Sequence, residues 1–296
     1  MLIQPDSLVY FKNRFVQASE VRLPFLSSTF HYGYGVFEGI RSYETQQGPR
    51  MFKPQAHFNR LLKGAEQLGL ALPHSPEELT AVSYTLIQKN GLRDAYVRPL
   101  VFEDTNMSLV VKGQPMLLIA CWKWGPLLGD QQVHLSTSRY RRPNRPSELA
   151  EYKVCGFYAE TIRAKTEAKS KGCQDALMLD EAGRVLGTTG ANIFIEKNEV
   201  LYTPPAHNII PGVTRTTVFE LSQELGIDIV EKDLYLEDLI QSDGVFLSGT
   251  ATEIAGVASL DGRGFTMEWE DTLGHLISRT YRRLVTEMDL QPATLI

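Results

Sequence analysis

The chain has 296 residues, 43% of them hydrophobic and 22% charged, with a net charge of −5. This excludes a largely disordered or collagen-like chain, and a mildly acidic chain without a Lys/Arg cluster is a poor nucleic-acid binder, because a phosphate backbone needs concentrated positive charge. No stretch approaches the ~18 consecutive apolar residues of a membrane span, and three cysteines do not build a disulfide framework. The opening MLIQPDSLVYFKNRF has no basic segment followed by an apolar run, so it does not read as a secretory signal. The expectation is a cytoplasmic protein of about two domains.

In chain order, Leu8–Phe11 and Arg14–Val16 flank a Lys12-Asn13 turn and predict a hairpin. Gly39–Tyr43 and Met51-Phe52 predict two strands around Gln46–Pro49. Helices are predicted over 54–68, where Phe58, Leu61, Leu62, Ala65 and Leu68 recur every three or four residues, and over 76–90. There Pro76, Glu77 and Glu78 suit the first turn and Asn90-Gly91 is a stop. Strands are predicted over 96–102 and 116–122. The run Trp124–Gly129 has the composition of a connector, giving an N-terminal α/β domain (1–124), a link (125–131) and a larger C-terminal domain (132–296). After it come a strand (133–137), a basic polar loop (139–147) and a helix (156–171). Further strands (176–179, 191–196, 200–202), a turn at 181–183, a helix (214–225) and a strand (227–231) follow. The class is α/β or α+β.

Four places can carry chemistry. Lys153 lies between a loop and a helix, as a Schiff-base nucleophile or as a solvated charge. Pro211-Gly212-Val213-Thr214 opens a helix, either as an anion site of free amides or as a plain helix start. Ser248–Glu253 is a small-residue run that either lets amides approach an anion or simply turns. Arg60 either grips a phosphate bidentately or is a surface charge. The six histidines and three cysteines show no metal-ligand spacing, so no metal is expected. No GxGxxG, Walker A or GxSxG motif is present.

Taken in order, His31-Tyr32-Gly33, Val36-Phe37-Glu38-Gly39-Ile40-Arg41, His57-Phe58-Asn59-Arg60-Leu61, Ala95-Tyr96-Val97-Arg98-Pro99, Trp124-Gly125, Lys153, Thr203-Pro204-Pro205, Pro211-Gly212-Val213-Thr214-Arg215 and Ser248-Gly249-Thr250 closely resemble the class IV (fold type IV) pyridoxal-phosphate aminotransferases. They are nearest to the branched-chain amino-acid aminotransferases. The resemblance runs from about residue 5 to residue 265. It implies a two-domain fold like that of D-amino-acid aminotransferase, with the site at the domain interface, and a homodimer or higher homo-oligomer. It implies that Lys153 holds the cofactor as an internal aldimine and shuttles the proton. It places Arg60, Val213, Thr214, Thr250 and Ala251 on the cofactor phosphate and Tyr158 on the pyridine O3′. It puts Tyr32, Phe37, Gly39, Tyr96, Arg98 and Trp124 around the substrate, an L-amino acid or a 2-oxo acid. Arg98 would meet the distal carboxylate of glutamate or 2-oxoglutarate.

The sequence departs from the family pattern in one segment. Where relatives carry E-G-x-x-E-N-x-F, this chain reads Gly187-Thr188-Thr189-Gly190-Ala191-Asn192-Ile193-Phe194. Gly187 therefore replaces the glutamate that contacts the pyridine nitrogen, and Ala191 replaces the second one. A carboxylate there keeps the nitrogen protonated and the ring a strong electron sink. Thr188, Thr189 or a displaced acid such as Glu181 are the local substitutes. Leu127 stands where some branched-chain enzymes place a tyrosine. Three readings follow: a transaminase of branched-chain type, a D-amino-acid transaminase or lyase of the same fold, and a cofactor-binding protein with reduced or altered activity.

Overall fold

The computed structural model describes residues 3–125, 131–142, 147–206 and 209–287. They form two compact units: Met1–Gly125 with Tyr152–Phe157 and Leu284–Ile296, and Pro126–Glu151 with Tyr158–Arg283. Lys153 thus belongs to the first unit. Leu127, much of the predicted connector and residues 143–146 of the predicted basic loop lie outside the described residues.

The first unit holds a sheet of β1 (Leu8–Phe11), β2 (Arg14–Gln17), β3 (Gly35–Phe37), β4 (Ile40–Thr45), β5 (Gly48–Met51), β6 (Ala95–Glu103) and β7 (Pro115–Lys123). The order is β2-β1-β7-β6-β4-β5, with β3 also on β6, and every pairing is antiparallel. The predicted hairpin forms. Lys12 and Asn13 both take positive φ, 51° and 59°, which matches the twist of a two-residue turn to that of its strands. Helix α1 (Ser28–Tyr32) precedes β3, and α2 (Pro54–Gln67) and α3 (Pro76–Lys89) follow β5. The stripe predicted on α2 is buried at Phe58, Leu61 and Ala65, and His57 is buried with it. Helix α3 starts on a capping box between Ser75 and Glu78, which satisfies two otherwise orphaned amides.

The second unit holds β8 (Val133–Arg141), β9 (Asp175–Leu179), β10 (Val185–Thr188), β11 (Asn192–Lys197), β12 (Val200–Thr203), β13 (Ile229–Glu231), β14 (Gly244–Gly249) and β15 (Glu253–Leu260), ordered β10-β9-β8-β15-β14-β11-β12-β13. The pairings β8–β9, β8–β15 and β12–β13 are parallel. Helices α4 (Ser147–Ala150), α5 (Ala159–Ser170), α6 (Val213–Leu225), α7 (Leu236–Ile240) and α8 (Leu273–Thr286) complete the described chain. Its core joins Val133, Leu135, Leu177, Ile193, Val245 and Val257.

The structure shifts several predicted boundaries: β5 is Gly48–Met51 rather than Met51-Phe52, taking in half of the predicted Gln46–Pro49 turn, and β13 starts at Ile229 rather than Ile227. Helix α5 begins at Ala159 rather than Gly156, because Cys155–Tyr158 wind more tightly as a 3-10 turn. Strand β8 runs on through Arg141, because β9 offers it a partner as far as Leu179, so the start of the predicted basic loop is strand. Strands β14 and β15 carry no predicted counterpart. Every residue of β14 is buried, so it shows none of the alternation that marks a strand with one wet face. No helix among the described residues is long and apolar enough to cross a membrane.

Candidate active site

Lys153 sits on a short extended segment clipped to β3. Its carbonyl accepts the Phe37 amide at 3.1 Å, Val154 bridges Val36, and the Gly156 amide donates to Gly33 at 2.9 Å. The approach is close enough to require glycine. Gly33 has φ +67°, and a Cβ there would lie 2.6 Å from the Gly156 Cα. Such a position favours the residue without a side chain.

That clip delivers the lysine amine to a buried carboxylate. Lys153 Nζ lies 3.3 Å from Glu38 Oε2, which also accepts from His57 Nδ1 at 3.0 Å and from the Gly39 amide at 3.2 Å. Glu38 Oε1 accepts from Arg60 Nε at 2.6 Å. Glu38 is 1% exposed. Burial alone would push its carboxyl upward, but Lys153, Arg60 and the His57 hydrogen bond hold it well below the usual carboxylate range. Burial pulls Lys153 below the ordinary lysine value; Glu38 opposes this, and Arg60 and Arg98 add to it. Burial also pulls His57 down, so its ring is neutral near pH 7 and donates Nδ1–H to Glu38. Arg60 is not the solvated charge of the alternative reading: its side chain is 11% exposed. Glu38 and His57 were not assigned roles from the sequence. The signal was the i, i+3 spacing of His57 and Arg60, which puts both on one face of α2.

Five of the six expected substrate residues come together in the first unit. The Arg98 guanidinium lies over the Phe37 ring (4.7 Å) and the Tyr96 ring (5.3 Å), and the Trp124 ring is 5.3 Å from Tyr96. A Cβ at Gly39 would strike the Tyr96 hydroxyl at 1.8 Å. Arg98 Nε and Trp124 Nε1 are buried and have no hydrogen-bond partner. Unpaired donors of this kind carry a desolvation cost that an incoming acceptor relieves. Tyr32 is 49% exposed on α1, with its ring facing His31.

In the second unit, Asn192 gathers the anion-site candidates. It pairs with Ser248 in the β11–β14 register, and its side chain donates to the Ile210 carbonyl at 3.1 Å. A Cβ at Gly212 would lie 2.3 Å from its Oδ1. Helix α6 starts there, 13 residues long, with no side chain capping its first turn. Val213 and Thr214 are buried, and the Ser248 hydroxyl is buried without a partner. Thr250 and Ala251 form the β14–β15 turn, and Gly249 abuts Gly190 and Ala191, with a Cβ 3.2 Å from the Gly190 carbonyl. Uncapped amides and an unpartnered hydroxyl fit a bound phosphate. Tyr158 and Thr189 line one cavity of about 470 Å³ with Thr161 and Lys165.

The Gly187 segment is not an empty slot. Gly187 has φ +119°, and a Cβ there would lie 2.6 Å from the Ala191 carbonyl oxygen. The segment closes on itself: the Thr188 amide donates to the Ala191 carbonyl (2.9 Å), and the Ala191 amide donates to Thr188 Oγ1 (3.2 Å). Thr189 Oγ1 donates to Asp175 at 2.5 Å, and Lys165 pairs with the same carboxylate at 3.0 Å. Glu181 remains exposed in its turn.

With this geometry in place, comparison with known proteins identifies the class. Residues 35–260 match the amino-transferase class IV family. The chain is 35% identical over 264 residues to the branched-chain-amino-acid aminotransferase of Pseudomonas aeruginosa, covering 87% of this chain and 86% of that one. The crystal structure of the branched-chain aminotransferase of Thermoproteus uzoniensis with norvaline superposes with a TM-score of 0.88 at 34% identity, over 94% of each chain. The Escherichia coli branched-chain amino acid aminotransferase does so with a TM-score of 0.90 at 31% identity, over 95% of each. The chain belongs to the class IV aminotransferase family.

Proposed function

We propose that this pyridoxal-phosphate-dependent aminotransferase moves the amino group of an L-amino acid with a branched apolar side chain to 2-oxoglutarate. The observation that carries the reading is the group around Arg98. Aromatic faces of Phe37, Tyr96 and Trp124 suit an apolar side chain, while the unpartnered Arg98 Nε and Trp124 Nε1 suit a carboxylate. A transaminase that alternates between an apolar amino acid and a dicarboxylate needs both in one place. The relatives named as branched-chain aminotransferases support this side of the family over the D-amino-acid or lyase reading.

Lys153 carries the cofactor and moves the substrate proton, and Arg60, Val213, Thr214, Thr250 and Ala251 hold the phosphate. Tyr158 meets the ring oxygen. Pyridoxal phosphate supplies the electron sink that makes the substrate Cα–H acidic. The clip of Lys153 to β3 fixes the base before substrate arrives, so orientation is not lost at each turnover. Arg60 Nε donates to Glu38 at 2.6 Å, and the same guanidinium would meet the phosphate. The uncapped start of α6 and the unpartnered Ser248 hydroxyl support the phosphate site, whereas Gly187 has no carboxylate to offer the ring nitrogen.

The active species is a homodimer or larger, in the cytoplasm. Phe25, Phe30, Leu109 and Val110 are each more than half exposed. They lie on two segments tied together by the Ser27–Thr105 bridge and by the Asn106 amide on the Leu26 carbonyl. Apolar exposure of this kind marks a surface that another chain covers, and light scattering after gel filtration measures it. For the substrates, the holoenzyme is mixed with one amino donor at a time and the decay of the cofactor's visible band is followed. Decay with leucine, isoleucine or valine and reversal by 2-oxoglutarate are expected. Silence with all three and decay with a D-amino acid would replace the reading.

A further inference from the structure

We propose that Glu38 is the positioning residue for Lys153: its buried carboxylate fixes the lysine nitrogen and holds its proton whenever that nitrogen is not bonded to the cofactor. This rests on Lys153 being the cofactor lysine. A carboxylate buried to 1% is tolerated when paired and hydrogen-bonded, and Glu38 is surrounded on both oxygens. Arg60 takes Oε1, and His57, Gly39 and Lys153 share Oε2. Three of those donors fix the carboxylate. The fourth, Lys153, is the one that must leave and return during turnover, and its contact is the longest at 3.3 Å.

The charges around the lysine show what Glu38 does there. Burial disfavours an ammonium at Lys153, and Arg60 from α2 and Arg98 from β6 add to this, while Glu38 favours it. His57 is neutral, and the neighbouring Cys155 thiol is pushed up to about 11 by burial, so neither supplies a counter-charge at neutral pH. When Lys153 accepts the substrate's Cα proton, the positive charge forms 3.3 Å from Glu38. The carboxylate would stay ionised, so the proton would rest on the lysine nitrogen and not pass to Glu38. Without Glu38 the ammonium would face two arginines in a dry site.

The test uses the holoenzyme in its pyridoxamine-phosphate form, in which Lys153 is free. Trace acetylation across a pH series, read by mass spectrometry of the Lys153 peptide, gives the pH at which the amine is half-protonated. Glu38→Gln should lower that midpoint by about one unit or more, as removal of an adjacent opposite charge does. It should also lower kcat more than it raises KM. Glu38→Asp, which keeps the charge but withdraws it by one methylene, should give a smaller fall, and it serves alone if the glutamine variant does not fold. A midpoint unchanged in the folded variant would overturn the inference. Borohydride reduction of the wild-type holoenzyme and peptide mapping separate the two readings. A pyridoxyl group on a residue other than Lys153 would sink the assignment of the lysine, whereas a label on Lys153 with an unmoved midpoint sinks the role of Glu38 alone.

Discussion

The Nε of Arg60 stands 2.6 Å from Oε1 of Glu38, and this contact ties the arginine to the same buried carboxylate that Lys153 approaches. Under the phosphate role proposed above, the same guanidinium would also meet the cofactor phosphate. Lysine, with a single donor centre, cannot serve both. Arg60→Lys should therefore retain the fold but weaken the cofactor. Arg60→Ala should weaken it by about 1.5–3 kcal/mol, the size of a hydrogen bond to a charged group. A pyridoxal-phosphate titration of the apoprotein followed by fluorescence checks this. An affinity unchanged in both variants would take Arg60 away from the phosphate.

Arg98 and Trp124 should separate the two classes of substrate. Arg98→Ala removes the cation from the aromatic group and should raise KM for glutamate and 2-oxoglutarate far more than for leucine. The loss expected is about 1.5–3 kcal/mol, or one to two decades. Trp124→Phe keeps the ring and deletes the Nε1 donor, so it should act in the same direction but more weakly. Steady-state kinetics on both half-reactions decide it. Equal penalties on leucine and glutamate would break the link between these donors and a carboxylate.

Acid should unfold the first unit in two stages. Burial lowers His57 from its ordinary 6.5, so below about pH 6.5 the unfolded chain takes the proton first and stability falls. Glu38 is held well below its ordinary 4.5, so a second loss begins near pH 4.5 as the unfolded chain again protonates first. His57→Gln should remove the upper stage and leave the lower one. Melting temperatures from pH 8 to pH 4 on wild type and variant test this. Parallel curves would show that His57 does not titrate on unfolding.

Much of this arrangement was legible in the sequence, and the parts that were not share a cause. Helices α2 and α3 announce themselves, because their apolar stripes, Pro54 and Pro76 at their starts and the Ser75 cap are local signals. The Arg98 group was legible through motif order, since Tyr96 and Arg98 alternate onto one face of β6. The Glu38 cluster was not, because its partners lie 19, 22 and 115 residues away and only the fold sums their charges. The hub at Asn192 escaped for the same reason. Strand β14, buried on both faces, hid its period.

At Gly187 the backbone changes what the sequence suggests. Read as a lost side chain, Gly187→Glu should restore an acid and speed the reaction. The position has φ +119°, and any Cβ would press within 2.6 Å of the Ala191 carbonyl. That carbonyl is itself held by the Thr188 amide at 2.9 Å, so it cannot retreat without opening the 188–191 loop. A non-glycine residue at such a φ costs of the order of 1–3 kcal/mol. Gly187→Ala and Gly187→Glu should therefore both melt several degrees lower, at about 2–4 °C per kcal/mol. Neither should accelerate the half-reaction with leucine, because the carboxylate would enter on a displaced backbone. Wild type should itself transaminate slowly beside relatives that keep the acid, since Gly187 has no carboxylate to pair with a ring nitrogen. Calorimetry and stopped-flow absorbance on the same preparations decide between the two views. A Gly187→Glu enzyme as stable as wild type and at least tenfold faster would show that the site had lost its acid and nothing else.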